Sequence, residues 1–133
     1  TAHAALEFLQ EVRQRTGETI PLAWNPEIGP GVHAIEIYPA ATLKAYGVNV
    51  PSYKGTKGYA ARQEILRFLD AQMELPEDLN VMETNDDALD AALCVLAGGD
   101  FLRDKALKPT KLELAKKEGW IWICEPVDEG HHR

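Results

Sequence analysis

The segment 85–98, NDDALDAALCVLAG, limits what this chain can become more than any other stretch. From Leu93 to Gly98 it is apolar or nearly so, the pattern of a helix buried in a core, and other elements must then pack around it. Its opening turns nevertheless hold Asp86, Asp87 and Asp90. At about 100° per residue, Leu89, Ala92, Leu93 and Leu96 share one stripe. Asp90 lies on the flank of that stripe and Asp87 about 60° further round, so the two carboxylates point the same way, one turn apart. A helix N-terminus favours negative charge by about 0.3–1 kcal/mol, and Asn85 or Asp86 suits the N-cap. Capping accounts for Asp86 and adequately for Asp87. Asp90 sits past the first turn beside the apolar stripe, where an unpaired carboxylate is costly, so it calls for a partner or a metal.

Around this helix the pattern alternates. Ala5, Phe8, Leu9 and Val12 recur at helical spacing and predict an amphipathic helix over 2–16, ended near Gly17. GETIPLAWNPEIGPG then reads as a long irregular connection. HAIEIYP predicts a strand with Ala34, Glu36 and Tyr38 on one face and Ile35 and Ile37 on the other. Pro39 starts a short helix, AATLKAYG, stopping at Gly47. The loop PSYKGTKGY leads into a helix with Ala61, Ile65, Phe68, Leu69 and Met73 on its buried stripe, ended before Pro76. After the quoted segment, GGDFLRDKALKP reads as a loop or partial helix and KLELAKKEG as a short charged helix. WIWIC reads as a strand covered on both faces. Strands alternating with helices predict an α/β domain over 1–126, with 127–133 a flexible tail. Two or three strands are too few for a sheet, which points to missing strands and to a piece of a longer domain.

Glu36 is the second anomaly, because acidic residues are depleted in strands and seldom buried without a partner. An edge strand with Glu36 in water is one reading. Convergence of Glu36 with Asp87 and Asp90 is the other, and three carboxylates at one point are stable only with protons or divalent cations. Oxygen ligands at a partly open site favour Mg²⁺ or Mn²⁺, which can hold a phosphodiester and activate a water. Fourteen basic against twenty-one acidic residues give a net charge of −7, so a polyanionic substrate needs cations or a local basic patch. Lys54, Lys57 and Arg62 offer such a patch for nucleic-acid contact; solvated lysines in a loop are the plain alternative. Tyr53 and Tyr59 are weaker candidates for base stacking, and Trp120 and Trp122 read as core. His33 carries no clear signal, and His131 and His132 fall in the tail. Cys94 and Cys124, thirty residues apart inside apolar runs, read as reduced core thiols of a cytoplasmic protein. No apolar run is long enough to span a membrane.

EIYPAATLKAYG, the YKG segment with Arg62 after it, DDALDAALCVLAG and EGWIWICEP occur in this order. Over about residues 33–126 they resemble the family called domain of unknown function 429, described as predicted nucleases of the ribonuclease H fold. The D-x-x-D-A pattern at Asp87 to Ala91 is also similar to the final acidic pair of Holliday-junction resolvases. The resemblance implies a ribonuclease H-like mixed sheet flanked by helices. It further implies a two-metal site built from an aspartate on the first strand, Glu36 on the fourth, and Asp87 with Asp90 on the last core helix; in such a site Asp86 either caps the helix or assists from behind these ligands. The family's N-terminal strands, including the one bearing that first aspartate, are expected before Thr1 and do not occur in this sequence.

Two functions follow as expectations. The first is a Mg²⁺- or Mn²⁺-dependent nuclease, a hydrolase of DNA or RNA phosphodiesters with Glu36, Asp87 and Asp90 as catalytic metal ligands. The second is a non-catalytic binding or assembly module whose open edge takes a second copy of the chain or the missing N-terminal strands. A nucleotide-binding protein of the actin-like superfold ranks last, because phosphate-cradling glycine hairpins are not evident.

Overall fold

The computed structural model describes residues 2–127, so His131, His132 and all but the first residue of the predicted tail lie outside the described residues. The chain, read from its sequence as one domain, divides into two compact units, Thr1–Ile35 and Glu36–Arg133.

In the first unit, α1 spans Ala2–Thr16. Gly17 ends it in the left-handed region, its N–H bonding the Arg13 carbonyl at 2.9 Å. The Arg13 guanidinium donates to the Thr19 and Ile20 carbonyls at 2.7 and 2.8 Å, which fixes the chain's exit from the helix. Its apolar stripe is only partly covered: Leu9 and Val12 are half-buried and Phe8 is exposed. In the irregular connection, a lone parallel bridge joins Leu22 to Ala34.

The second unit is built from helices: α2 (Pro39–Ala45), α3 (Tyr59–Asp70), α4 (Asn80–Thr84), α5 (Asp86–Leu102) and α6 (Leu112–Glu118), with a 3₁₀ turn at Thr56–Gly58. Pro39 opens α2, where its missing N–H costs nothing. Leu43 of α2, Ala61, Ile65, Leu66 and Leu69 of α3, and Leu89, Leu93 and Leu96 of α5 form one apolar core, closed by the ring of Tyr53. The α3 stripe includes Ala61, Ile65 and Leu69 as expected, whereas Phe68 and Met73 pack at its margin. The core helix α5 runs through Gly98 and Gly99 to Leu102, four residues beyond the quoted segment. It is not covered all round, since Val95 and Leu102 face solvent.

The expected ribonuclease H-like mixed sheet is absent. The described residues are 52% helical and 5% strand, with no sheet. The two segments expected as strands are extended but barely paired. Glu36 bridges Ile121 in parallel, with Trp122 N–H donating to the Glu36 carbonyl at 2.9 Å, and Cys124 bridges Ala106 in antiparallel sense. Alternating side chains require only extended backbone, whereas a sheet requires consecutive paired residues on a neighbouring chain segment. Pro39 ends the first segment immediately, and no third extended segment lies beside Glu36 among the described residues. WIWIC is covered on one face only: Trp122 and Cys124 are buried, and Ile121 is exposed.

Candidate functional site

The loop at residues 53–55 crosses the first two turns of α5 and is pinned there from both sides. On the α5 side, the Tyr53 hydroxyl donates to Asp90 Oδ1 at 2.7 Å, the Lys54 ammonium pairs with Asp90 Oδ2, and Gly55 N–H donates to Asp86 Oδ2 at 2.7 Å. On the α3 side, Arg62 is buried, and its Nη1 donates to the Tyr53 and Gly55 carbonyls, each at 2.7 Å. Its Nε reaches the Glu83 carbonyl at 2.6 Å, tying in α4. Gly58 permits this approach, because a Cβ there would lie 2.3 Å from the Tyr53 carbonyl group.

Asn85, not Asp86, caps α5: its Oδ1 accepts from the Asp87 and Ala88 N–H groups at 2.9 and 3.3 Å. That leaves the Asp86 carboxylate free to hold the loop. Asp87 is exposed.

The electrostatics centre on Lys54. Burial pulls its pKa down, but the hydrogen bond and charge of Asp90, with the charges of Asp86 and Asp87 behind them, outweigh burial and raise it. Its ammonium also lies 5.0 Å from the centre of the Tyr53 ring. Burial, the Asp90 hydrogen bond and the Asp90 charge hold the Tyr53 phenol above its ordinary pKa, so it remains a hydrogen-bond donor at neutral pH.

Glu36 does not join this group. It is exposed, and its Oε2 accepts from Trp120 N–H at 3.3 Å. Gly119, at φ +92°, leaves room there, since a Cβ would stand 3.0 Å from that oxygen. Glu36 therefore faces water, and the three-carboxylate convergence does not form among the described residues. Among the described residues, no three of His, Cys, Asp and Glu group to hold a metal. Mg²⁺ commonly takes only one or two carboxylates, with water and phosphate oxygens completing its shell. Here Asp87 is exposed, while both oxygens of Asp90 are engaged, Oδ1 by the Tyr53 hydroxyl and Oδ2 by the Lys54 ammonium.

The basic patch divides in the same way. Lys57 is exposed on the 3₁₀ turn, and half-exposed Lys54 is paired, but Arg62 is enclosed and cannot meet a phosphate backbone. Tyr53 is equally unavailable for stacking, being 7% exposed, while Tyr59 is exposed and reaches Glu83 Oε2 at 3.4 Å.

A cleft of about 580 Å³ opens beside Asp90, between α2 and the loop at 48–54. Leu43, Val48, Val50 and Pro51 give it an apolar lining, and Tyr38, Lys44 and Lys54 line it as well.

Sequence reasoning missed a buried carboxylate. Asp100 is 2% exposed, accepts from the Tyr46 hydroxyl at 2.7 Å and pairs with Arg103 at 3.2 Å. Continuing the Leu89, Leu93, Leu96 stripe by one turn reaches Asp100, but Gly98 and Gly99 disguised the helix as a loop. Cys94 and Cys124 are free thiols whose pKa values are raised, first by burial and then by Asp90 and Asp100 respectively.

Comparison with known proteins gives one family: the model described as Protein of unknown function (DUF429) matches residues 2–113. No curated protein and no solved structure matches the chain.

Proposed function

The chain belongs to the DUF429 family of proteins of unknown function, and from that premise we propose that it takes part in hydrolysing phosphodiester bonds of DNA or RNA, with Asp87 and Asp90 as the site's carboxylates. The observation that carries this reading is the Lys54 ammonium, held against Asp90 and in the field of Asp86 and Asp87 at the edge of an open cleft. A place that raises a lysine's pKa despite burial is one that favours positive charge. Mg²⁺ or Mn²⁺, when bound, would supply Lewis-acid polarisation of the phosphodiester and a water of lowered pKa.

The chain's own residues orient the site. The Tyr53 hydroxyl holds Asp90, and Gly55 N–H holds Asp86. Arg62 braces the loop through the Tyr53 carbonyl, and Asn85 caps the first turn of α5. The Lys54 side chain is 48% exposed and that of Asp90 25%, so the pair is open to water on the lysine side, from which Lys54 can also meet a substrate phosphate.

The test is cleavage by the full chain with Mn²⁺ of single- and double-stranded DNA and RNA. At least one form is cut, and Asp90→Asn slows that reaction about a hundredfold. The asparagine oxygen can still accept from Tyr53, so the melting temperature changes little. Absence of cutting in every form overturns the reading.

A second reading, a module that assembles with another copy of the chain, is favoured by the half-paired segment at 120–124 and the uncovered Val95 and Leu102 face of α5. The molecular mass in solution tests it. No helix among the described residues is long and apolar enough to cross a membrane.

A further inference from the structure

The cleft beside Asp90 has a use that the carboxylates leave unexplained. Its lining is mostly apolar, from Leu43, Val48 and Val50, in a place where a site for phosphate alone would need donors and cations. Tyr38 lines the same cleft and is 56% exposed, and it lies near enough to Tyr53 to influence that hydroxyl's ionisation. Lys44, on the last turn of α2, is exposed and also lines it. The volume of about 580 Å³ is within the range of pockets that hold a drug-sized or nucleotide-sized ligand.

We propose that this cleft receives one unstacked nucleobase next to the phosphodiester at Asp90, with Tyr38 as the stacking platform and Lys44 meeting a flanking phosphate. The chain would then act on single-stranded nucleic acid. This rests on the nucleic-acid reading above and names its substrate class. In a duplex the base faces are stacked inside, so neither the apolar lining nor the Tyr38 ring has anything to cover. The charge balance agrees: at a net charge of −7 the chain repels a polyanion at long range, and short-range base contact must supply the affinity. Tyr38 is suited to the role because the α2 N-terminus uses only its backbone, its carbonyl accepting from Thr42 N–H at 3.1 Å, which leaves the ring unengaged by capping.

The experiment is fluorescence anisotropy of the full chain in EDTA, where cleavage does not intervene, with three labelled probes of equal length. These are a single strand of ten nucleotides, its duplex, and a single strand with abasic sites throughout. The intact single strand binds about tenfold tighter than either of the others. Tyr38→Ala removes about tenfold for the intact strand and leaves the abasic strand unchanged. Lys44→Ala weakens the intact and abasic strands equally, and Tyr59→Ala, outside the cleft, weakens neither. Equal binding of intact and abasic strands, tighter binding of duplex, or indifference to Tyr38→Ala overturns the proposal. Base-dependent binding without any Mn²⁺-dependent cutting would sink the nuclease reading and leave this one standing; cutting without base dependence would do the reverse.

Discussion

Removing the Arg62 guanidinium leaves three backbone carbonyls, those of Tyr53, Gly55 and Glu83, without their donors in a place water reaches poorly. Each unsatisfied buried acceptor costs about 1–3 kcal/mol, although relaxation lets some regain water. Arg62→Met is therefore expected to destabilise the protein by about 3 kcal/mol in urea unfolding. Arg62→Lys recovers little, because an ammonium cannot reach three carbonyls from one planar fork. An unchanged unfolding midpoint in Arg62→Met would show that the loop is held by other means. Arginine in a basic loop reads equally as a phosphate contact or as an internal brace, and only the position of the carbonyls around it distinguishes them. Asp90 is the converse case. Its place beside an apolar stripe required a partner, and it has two, Tyr53 and Lys54.

At the scale of elements, α5 depends on its first turn. Asn85 accepts from two N–H groups that the helix cannot satisfy itself, and Asp86 and Asp87 follow in the first turn, where they complement the helix dipole. Asn85→Ala should cost about 1 kcal/mol in thermal or chemical unfolding, while Asn85→Asp or Asn85→Ser should cost much less. A larger loss, together with faster amide exchange in the loop at 53–55, would mean that the cap also holds the loop through Asp86. Helices α1, α2 and α3 were legible because periodicity, Pro39 and Gly17 are local signals, whereas the five-residue α4 was not read from the sequence. The run past Gly98 and Gly99 was not, because two glycines weaken helix propensity locally while Leu96, Ala97 and Phe101, buried in the fold, keep the helix going.

Over the whole molecule, the extended segments around Glu36 and Ile121 have the alternation of strands without the neighbours that make a sheet. Unpaired N–H and C=O groups on such a segment are satisfied by water or by another chain. If assembly is part of the function, light scattering gives a mass at least twice the monomer's 14.8 kDa at micromolar concentration. Ile121→Lys, which places a charge on the exposed position, returns it to the monomer value. A single monomeric mass at every concentration counts against assembly and leaves the nuclease reading untouched.

By itself the sequence determined α1, α2, α3, α6 and the start of α5, the N-terminal charge of α5, and the family. Each of these depends on spacing within a few residues, where backbone geometry fixes direction. The tertiary structure alone decided that Glu36 stays with Trp120 instead of joining the aspartates and that Arg62 turns inward. It also decided that Lys54 holds Asp90 and that, of the two tyrosines lining the cleft, Tyr38 is exposed and Tyr53 buried. These outcomes pair residues from 7 to 84 positions apart. Packing and charge across such separations select one arrangement among many that the local pattern permits.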